Sequence, residues 1–246
     1  MINQAMILAA GKGTRMGGIT AQRPKPLLEI GGLPLLQHIL TGLAGAGISH
    51  MVVVIGHLGE QIERHFGDGS AIGLRITYCR QERQTGTAQA ALLARKHLEP
   101  TPLVMSFGDI LCARSNYCTL VGRFAAHPCD ALLGLNAVDD PWAGAAVYRD
   151  GDRVTRIVEK PPRGASSTRW NNAGVMVLTP TVWAVLEELP PSERGEYELP
   201  QGIARMVEMG YDVRAVEFTG FWSDVGTPAE LERLNRLARD GALDLS

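Results

Sequence analysis

The sequence predicts an α/β protein with a mixed, mostly parallel central sheet that is flanked by helices. In the first half, short apolar runs alternate with segments of helical spacing, which is typical of a parallel sheet with crossover helices. In the second half, alternating apolar and polar residues on both sides of Asp150 and Gly151 indicate an antiparallel hairpin. The chain has 246 residues, which is long enough for one well-buried core.

The first half predicts strands from continuous apolar runs and helices from residues that recur every three to four positions. Apolar residues follow that helical spacing over 36–43, and two glycines then end the pattern. In chain order we expect a strand at 6–10, this first helix, a strand at 51–55, a helix at 58–66, a strand at 74–79, a helix from Thr85 or Gly86 to 98, and a strand at 103–107.

The second half predicts a different arrangement, in which antiparallel strands extend the parallel part. Besides the hairpin, we expect strands within 174–178 and 213–222 and helices near 180–189, 197–209 and 228–239. The sequence shows no internal repeat, low-complexity tract or linker. We therefore expect a single domain over 1–246, with a first half at 1–110 and a second half at 111–246.

The composition is that of an ordinary globular enzyme, with 45% apolar and 20% charged residues. The formal charge of -2 creates no general field that would attract nucleic acid or an anionic membrane. The apolar runs are too short for a membrane span, and the first residues lack the pattern of a signal peptide. The four cysteines have no metal-binding spacing, so we expect reduced thiols and a cytoplasmic protein.

A glycine-rich segment, "ILAAGKGTRMGGITAQRPKPLL" at residues 7–28, follows the first predicted strand. Glycines between a strand and a helix can aim backbone N–H groups at a phosphate. The segment matches neither the Walker pattern nor the dinucleotide fingerprint, since Met16 stands where the third glycine of that fingerprint should be. From the glycines alone, a phosphate loop and a plain turn remain equally good interpretations.

Two basic residues favour the phosphate interpretation. Arg15 offers a planar fork that suits phosphate oxygens, and Lys25 offers a compact positive charge. Pro24 and Pro26 stiffen the backbone around Lys25, which indicates a positioned lysine rather than a solvated surface residue. Lys12 and Arg23 are the other basic residues of the segment, and we interpret both as surface charges.

An aspartate follows the fourth predicted strand in "SFGDI", residues 106–110. Open α/β sheets bind ligands at the carboxyl edge of their strands, where Asp109 is expected to lie. Mg²⁺ prefers one or two carboxylates together with water and substrate phosphates. Asp109 is therefore a candidate magnesium ligand, although an aspartate in this position is often only a turn former.

The segment "LAAGKGTRM…RPKPLL" resembles the signature of the sugar-1-phosphate nucleotidyltransferases, in which G-x-G-T-R precedes P-K-P. Further resemblances follow in family order: "QERQTGTAQA" at 81–90, "SFGDI", "VEKPP" at 158–162, "NNAGVMVL" at 171–178 and "FWSDVGTP" at 221–228. They cover nearly the whole chain, from Ile7 to about Leu237. The sequence departs from the family pattern at Gly18, where proline is usual, and at Pro200 and Gln201, where Thr-Asp is usual.

The resemblance implies a role for each matching residue. It implies a single Rossmann-like domain with a small antiparallel sugar-binding lobe, in which 1–110 binds nucleotide and 111–246 binds the sugar phosphate. The implied catalytic residues are Arg15, Lys25 and Asp109. The implied metal ligands are Asp109 and Asp224. The implied nucleotide contacts are Ala9, Ala10, Gly11, Gly13, Thr14, Arg15, Gln81, Gly86 and Thr87. The implied sugar-phosphate contacts are Gly144, Glu159, Lys160, Asn172, Gly174 and Glu196.

The expected activity is the Mg²⁺-dependent joining of a nucleoside triphosphate to a sugar-1-phosphate, with release of pyrophosphate. The amide of Gln81 suits the imide edge of uracil or thymine, so UTP is favoured, then dTTP, with GTP or CTP as alternatives. An inactive homologue that binds a sugar nucleotide and regulates a partner is a second hypothesis, and a Rossmann-type oxidoreductase a third. Dimers or tetramers are common in similar enzymes, so a homo-oligomer is one expectation.

Overall fold

The structure is a computed structural model that describes residues 2–192 and 195–246. Its strands are β1 (Gln4–Ala9), β2 (Glu29–Ile30), β3 (Leu33–Pro34), β4 (His50–Ile55), β5 (Arg75–Arg80), β6 (Leu103–Phe107), β7 (Ile110–Cys112), β8 (Ala131–Ala137), β9 (Ala145–Asp150), β10 (Arg153–Glu159), β11 (Trp170–Leu178), β12 (Val213–Glu217) and β13 (Trp222–Asp224). Its helices are α1 (Leu35–Gly45), α2 (Gly59–Phe66), α3 (Thr87–Arg95), α4 (Ser115–Ala126), α5 (Val182–Glu187), α6 (Leu199–Glu208) and α7 (Pro228–Arg239). Short 3₁₀ segments cover Thr14–Thr20, Lys25–Leu27, Ser70–Ile72 and Pro141–Ala143.

Nine strands form one mixed sheet in the order β5-β4-β1-β6-β11-β8-β12-β10-β9. The strands β5, β4, β1 and β6 are parallel to one another, as the sequence predicts for the first half. β11 joins them through antiparallel pairing with β6 and with β8. The predicted hairpin at Asp150 and Gly151 is β9–β10. Because β10 also pairs with β12, the hairpin forms the far edge of the same sheet.

The sheet is buried on both faces, which explains the continuous apolar runs of its parallel strands. In β1, Ala5, Ile7 and Ala9 face the core formed with α1, α2 and α4, whereas Met6 and Leu8 face the core formed with α3, α5 and α6. Successive side chains of a strand point to opposite faces, so every residue of β1 is buried.

A small additional core lies outside the main sheet. β7 and β13 pair with each other in a separate two-stranded sheet, and Leu111 and Val225 from these strands and their flanks pack with Ile30, Leu35 and Leu234. α7 therefore packs over this two-stranded sheet. The sheet holds the segment that follows β6 beside the segment that follows β13. This pairing brings together residues that are far apart in sequence.

The boundaries differ from the sequence prediction at two places near the candidate site. α3 begins at Thr87 rather than at Thr85 or Gly86, because Gly86 has a φ of 118°, which no helical residue adopts. The extended segment 213–222 divides into β12 and β13. Between these two strands, the Asn116 side chain donates to the Thr219 carbonyl (2.9 Å) and accepts from the Thr219 N–H (3.0 Å).

The sequence prediction lacks α4 and β8, and it also lacks the short strands β2, β3 and β7. The helices over the described residues are all too short or too polar to span a bilayer. All four cysteines are free thiols.

Candidate active site

A cleft of about 330 Å³ lies at the carboxyl ends of the central strands. Its walls come from both halves of the chain and carry cationic, anionic and amide side chains. The lining residues are Arg15, Thr87, Phe107, Asp109, Ile110, Gly144, Ala145, Glu159, Lys160, Asn171, Asn172, Gly174, Glu196, Glu198, Pro200, Trp222 and Asp224. All six residues implied as sugar-phosphate contacts line this one cleft.

A second cavity of about 210 Å³ adjoins the first. It is lined by Leu8, Ala10, Gly11, Gln81, Gln84, Gly86, Thr87, Ala90, Glu196 and Glu198. Thr87, Glu196 and Glu198 line both cavities, so the two form one continuous two-part site. The smaller part holds the residues that the sequence resemblance implies for the base and the start of the phosphate loop.

The glycine-rich loop folds back on its own backbone. The carbonyl of Gly13 accepts hydrogen bonds from the Met16 N–H (2.8 Å) and the Thr20 hydroxyl (3.0 Å). A trans peptide unit points its N–H away from its carbonyl, so the Thr14 N–H is directed away from these donors. Gly13 and Gly17 have φ values of 65° and 59°, a backbone conformation that favours glycine. This conformation explains why glycine stands at position 17, next to the departure from the family pattern at Gly18.

The two-part site is closed on one side by the contact between α3 and the segment before α6. The N–H of Tyr197 donates to the Thr85 carbonyl (2.9 Å), and the N–H of Ala88 donates to the Tyr197 carbonyl (2.8 Å). The hydroxyl of Thr87 accepts a hydrogen bond from the Leu199 N–H (2.8 Å). Thr87 therefore caps α6 as well as lining the site.

The side chain of Gln81 is buried and has a fixed orientation. Its Nε2 donates to the Gly86 carbonyl at 3.0 Å, so Oε1 and the second hydrogen of Nε2 remain for a ligand. Gln84 reaches the same cavity, and its Nε2 donates to the Ala10 carbonyl at 2.7 Å. Both amides line the smaller cavity and connect it to β5 and the following loop.

Asp109 and Asp224 lie side by side because β7 and β13 are paired. In the register of that pair, Asp224 is opposite Ile110. The N–H of Val225 also donates to the Asp109 carbonyl at 2.9 Å. Val225 is fully buried in the small core under α7, which fixes the backbone on this side.

Lys25 lies against this pair of carboxylates. Its Nζ is 2.8 Å from Asp109 Oδ2 and 3.9 Å from Asp224 Oδ1. The side chain of Lys25 is only 11% exposed, and it lies in the 3₁₀ segment Lys25–Leu27. Arg15 approaches from the solvent side, with its Nη2 3.9 Å from Asp224 Oδ2 and its side chain 67% exposed.

The two carboxylates are the natural place for a cation in this cleft. Burial raises the pKa of Asp224, and the nearby charge of Asp109 raises it further, while Lys25 and Arg15 oppose the shift. Oδ1 of Asp224 is buried and has no hydrogen-bond partner among the described residues. Within residues 2–192 and 195–246, no cluster of three or more His, Cys, Asp or Glu side chains could hold a metal alone. Two carboxylates beside an open cleft suit a magnesium ion that also binds substrate phosphates.

Lys160 brings a second cation into the cleft through an unusual backbone conformation. It follows Glu159 at the end of β10, and alternation along a strand would place the two side chains on opposite faces. Lys160 has a φ of 44°, and its N–H donates to the Gly144 carbonyl at 2.7 Å. This left-handed residue turns the chain, so both side chains line the cleft, with Lys160 Nζ 3.7 Å from Glu159 Oε1.

Asn171 and Asn172 form a buried amide network along the floor of the cleft. Asn171 Oδ1 accepts from the Ala145 N–H (3.2 Å), and its Nδ2 donates to Asn136 Oδ1 (2.9 Å). Asn172 Oδ1 accepts from the Gly174 N–H at 3.0 Å. Nδ2 of Asn172 is buried without a partner in the part of the chain that the structure describes, so it remains available to a ligand hydroxyl.

Most of the residues singled out in the sequence line the two cavities, whereas Ala9, Gly13, Thr14 and Lys25 line neither. Ala9 ends β1 and packs beside Gly108, whereas Gly13 and Thr14 form the loop next to Arg15. At the departure from Thr-Asp, Pro200 lines the cleft, while Gln201 lies in a separate groove between α5 and α6.

The sequence interpretation missed several residues of the walls. Trp222, Asn171, Glu198 and Phe107 line the main cleft, and Gln84 lines the smaller cavity. Trp222 is held by a hydrogen bond from its Nε1 to the Ala173 carbonyl (2.9 Å). Each of these residues lies in a sequence motif near a predicted site residue, and this adjacency is the signal that identifies it as a candidate.

The chain matches the family model described as Nucleotidyl transferase over residues 4–241. It is 33% identical over 92% of its length to UTP--glucose-1-phosphate uridylyltransferase AglF of Haloferax volcanii, of which it covers 93%. It is 31% identical over 95% of its length to glucose-1-phosphate thymidylyltransferase of Streptomyces antibioticus. The chain spans 65% or less of the length of that thymidylyltransferase and of several other curated relatives that it matches.

The fold also matches solved structures over almost the whole chain. A structure from Bacillus anthracis, described as a glucose-1-phosphate thymidylyltransferase in complex with sucrose, superposes with a TM-score of 0.87 at 28% identity. The superposition covers 98% of this chain and 96% of the other. The predicted fold class and the predicted family are both confirmed. The chain belongs to the nucleotidyl transferase family, and its relatives are sugar-1-phosphate nucleotidyltransferases.

Proposed function

We propose that this protein transfers a nucleotidyl group from a nucleoside triphosphate to a sugar-1-phosphate, with release of pyrophosphate and with Mg²⁺ as cofactor. One observation carries the proposal: the larger part of a continuous two-part site carries Asp109 and Asp224, and Lys25 contacts this pair from the side of the phosphate loop. The two parts match two substrates that react through their phosphates. Residues 1–110 supply most of the nucleotide side, and 111–246 most of the sugar side.

The nucleotide side supports binding of a triphosphate. The Thr14 N–H is directed away from the donors that bond to the Gly13 carbonyl, and Arg15 lies exposed at the cleft. Backbone amides and a guanidinium are suited to the charge of the leaving pyrophosphate. Lys25, beside the aspartates, is placed to neutralise the α-phosphate once it releases Asp109.

The amide of Gln81 supports a pyrimidine with an imide edge. Because Nε2 donates to the Gly86 carbonyl, Oε1 is left to accept a hydrogen bond and the second N–H to donate one. Uracil and thymine offer a matching N–H and carbonyl, whereas cytosine offers the reverse pattern and would require the amide to flip. We therefore propose UTP as the preferred substrate, then dTTP, with GTP and CTP less favoured.

The sugar side supports binding of a phosphorylated acceptor. Lys160 can neutralise the acceptor phosphate, and Glu159 and Asn172 can bind sugar hydroxyls. Gly144, Gly174 and Glu196 complete the walls of this part of the cleft. The acceptor phosphate is already nucleophilic near neutral pH, since its second pKa is about 6.

The reaction requires charge neutralisation and in-line positioning rather than a covalent intermediate. Asp109 and Asp224 would hold Mg²⁺, which when bound neutralises charge on the triphosphate and on the departing pyrophosphate. Arg15 stabilises the leaving group, Lys25 the α-phosphate, and Lys160 aligns the attacking phosphate.

A substrate matrix tests the proposal directly. Purified protein with Mg²⁺ is supplied with each of UTP, dTTP, GTP and CTP against several sugar-1-phosphates, and pyrophosphate release is measured. We expect the highest kcat/KM with UTP and no release from an Asp109→Asn variant that remains folded. If sugar nucleotides bind but no combination releases pyrophosphate, the protein is an inactive regulatory homologue and the proposal fails.

A further inference from the structure

The position of Lys25 is unexpected for a residue beside a metal site. Its positive charge neutralises Asp109 and Asp224, the two carboxylates that would bind the metal. Its Nζ is in hydrogen-bond contact with Asp109 Oδ2 (2.8 Å) and is 3.9 Å from Asp224 Oδ1. The ammonium group thus stands between the two carboxylates. This contact is an internal ion pair and not a surface one, since only 11% of the lysine side chain is exposed.

The backbone holds Lys25 in this place. Pro24 and Pro26 flank it, and the Leu27 and Leu28 N–H groups donate to the carbonyls of Pro24 (2.9 Å) and Lys25 (3.0 Å). Leu27 and Leu28 are both 5% exposed. The lysine therefore approaches the aspartates from a rigid turn that is anchored in the core.

The local charges are already nearly balanced. Asp109 and Asp224 contribute two negative charges, Lys25 contributes one positive charge at contact, and Arg15 contributes a second at 3.9 Å from Asp224. A divalent cation bound to the same oxygens would lie within a few ångströms of the ammonium. In a partly buried site this repulsion is large compared with the thermal energy.

We propose that the Asp109–Asp224 pair does not take a free divalent cation, and that it takes one only as the chelate of a triphosphate. Lys25 serves as the counter-ion of the empty site. A triphosphate offers Lys25 another anionic partner and brings its own metal, so the lysine transfers from Asp109 to phosphate as the metal arrives. This inference rests on the proposed function, because it assigns the form in which that substrate binds.

The exchange couples the two ligands. The divalent cation and the triphosphate each make binding of the other more favourable. The lysine must leave the carboxylates before the cation can bind them, and the triphosphate gives the lysine a new anionic partner. Such coupling is reciprocal in binding free energy, so metal should raise triphosphate affinity by the same factor as triphosphate raises metal affinity. The coupling should depend on the charge of Lys25 and not on the general charge of the loop.

The test measures binding of free Mn²⁺ by electron paramagnetic resonance, which counts the unbound ion and needs no turnover. In the wild-type protein without nucleotide, we expect binding in the millimolar range or weaker. In the Lys25→Met variant, which keeps the length of the side chain, we expect Mn²⁺ to bind at least about tenfold more tightly. Lys12→Met is the matched control, since it removes the same charge from an exposed position of the loop and should behave as the wild type.

A second measurement uses only the wild-type protein. A non-hydrolysable UTP analogue should bind at least about tenfold more tightly with Mn²⁺ than without it, although Mn²⁺ alone binds poorly. The double variant Lys25→Met/Asp109→Asn should lose the Mn²⁺ affinity that Lys25→Met gains. This loss would locate the bound ion at Asp109 and Asp224.

Tight binding of free Mn²⁺ to the wild-type protein, or equal affinities of the wild type and a folded Lys25→Met variant, would overturn the inference. Pyrophosphate release is measured on the same wild-type sample. Catalysis together with tight free-ion binding refutes the inference alone. Absence of catalysis with the expected Mn²⁺ pattern refutes the proposed function alone.

Discussion

Gly86 lies so close to the backbone of Tyr197 that a Cβ atom on residue 86 would come within 2.2 Å of the Tyr197 carbonyl oxygen. The carbonyl of Gly86 also accepts the side-chain hydrogen bond of Gln81, and Gly86 directly precedes the first residue of α3. This close approach joins Gly86, which lines the smaller cavity, to the segment that carries Glu196 and Glu198. The geometry of the smaller cavity therefore depends on a position that has no side chain.

Replacing Gly86 by alanine should damage both stability and nucleotide binding. The new methyl group cannot avoid the Tyr197 backbone, and a φ of 118° is strained for any other residue. We expect a loss of about 2–4 kcal/mol in the free energy of unfolding, measured by urea denaturation, and weaker UTP binding. Gly122→Ala is the control, because nothing lies within 4 Å of its Cβ position in α4 and helical alanine is favourable. Equal stability of the two variants would contradict this account.

Replacing Arg15 by alanine should reduce turnover without affecting the fold. The side chain is mostly exposed and only 3.9 Å from Asp224, so little stability depends on it. We expect kcat to fall by about 100- to 1000-fold, because a donor to the leaving pyrophosphate is lost. Arg23→Ala removes the same charge from a surface pair with Glu29 (2.7 Å) and should retain wild-type kcat. Undiminished turnover of Arg15→Ala would refute the role of Arg15.

Two substitutions of Lys160 should separate its charge from its backbone strain. Lys160→Gln removes the charge and keeps a strained residue at the left-handed φ of 44°, whereas Lys160→Gly removes the charge and also relieves the strain, because glycine adopts this φ freely. Both variants should raise KM for the sugar-1-phosphate by at least about tenfold, because each loses a charged phosphate contact. Only the glycine variant should gain stability, by about 1 kcal/mol, in thermal unfolding. Equal stability of the two variants would show that the conformation is not strained.

Replacing Asp224 by asparagine should stabilise the metal-free protein and abolish its activity. The pKa of Asp224 is raised by burial and by Asp109, so ionising this group costs free energy in the folded state. A group with a raised pKa binds its proton more readily in the folded state, so its effect on stability becomes less favourable as the pH rises. With a chelator present at pH 7, we expect the variant to melt at a higher temperature than the wild type.

The same comparison has a pH dependence that checks its cause. As the pH falls through the raised pKa, the wild-type carboxyl becomes neutral and the advantage of Asp224→Asn should shrink. A constant difference in melting temperature from pH 7 to pH 4 would point to packing rather than charge. A lower melting temperature of the variant at pH 7 would mean that attraction to Lys25 and Arg15 outweighs the cost of burial.

The local patterns of the chain were sufficient for the first half of the fold. β1, β4 and β6 are continuous apolar runs, and such runs are buried on both faces of a parallel sheet. The hairpin at Asp150 and Gly151 was equally readable, because its turn chemistry is local. The sequence prediction lacks α4 and β8. It begins α3 too early, because Gly86 contacts the backbone of Tyr197, which lies more than a hundred residues away in the chain.

The sequence by itself determined the family, the main parallel strands and crossover helices of the first half, and the residue types available for the site, since each of these depends on short-range spacing. Only the tertiary structure decided how those residues meet. Pairing of β7 with β13 brings Asp224 beside Asp109, and the left-handed backbone at Lys160 turns its side chain into the same cleft as Glu159. The contact between Lys25 and Asp109 spans 84 positions, and its 2.8 Å distance arises from packing that no local pattern encodes.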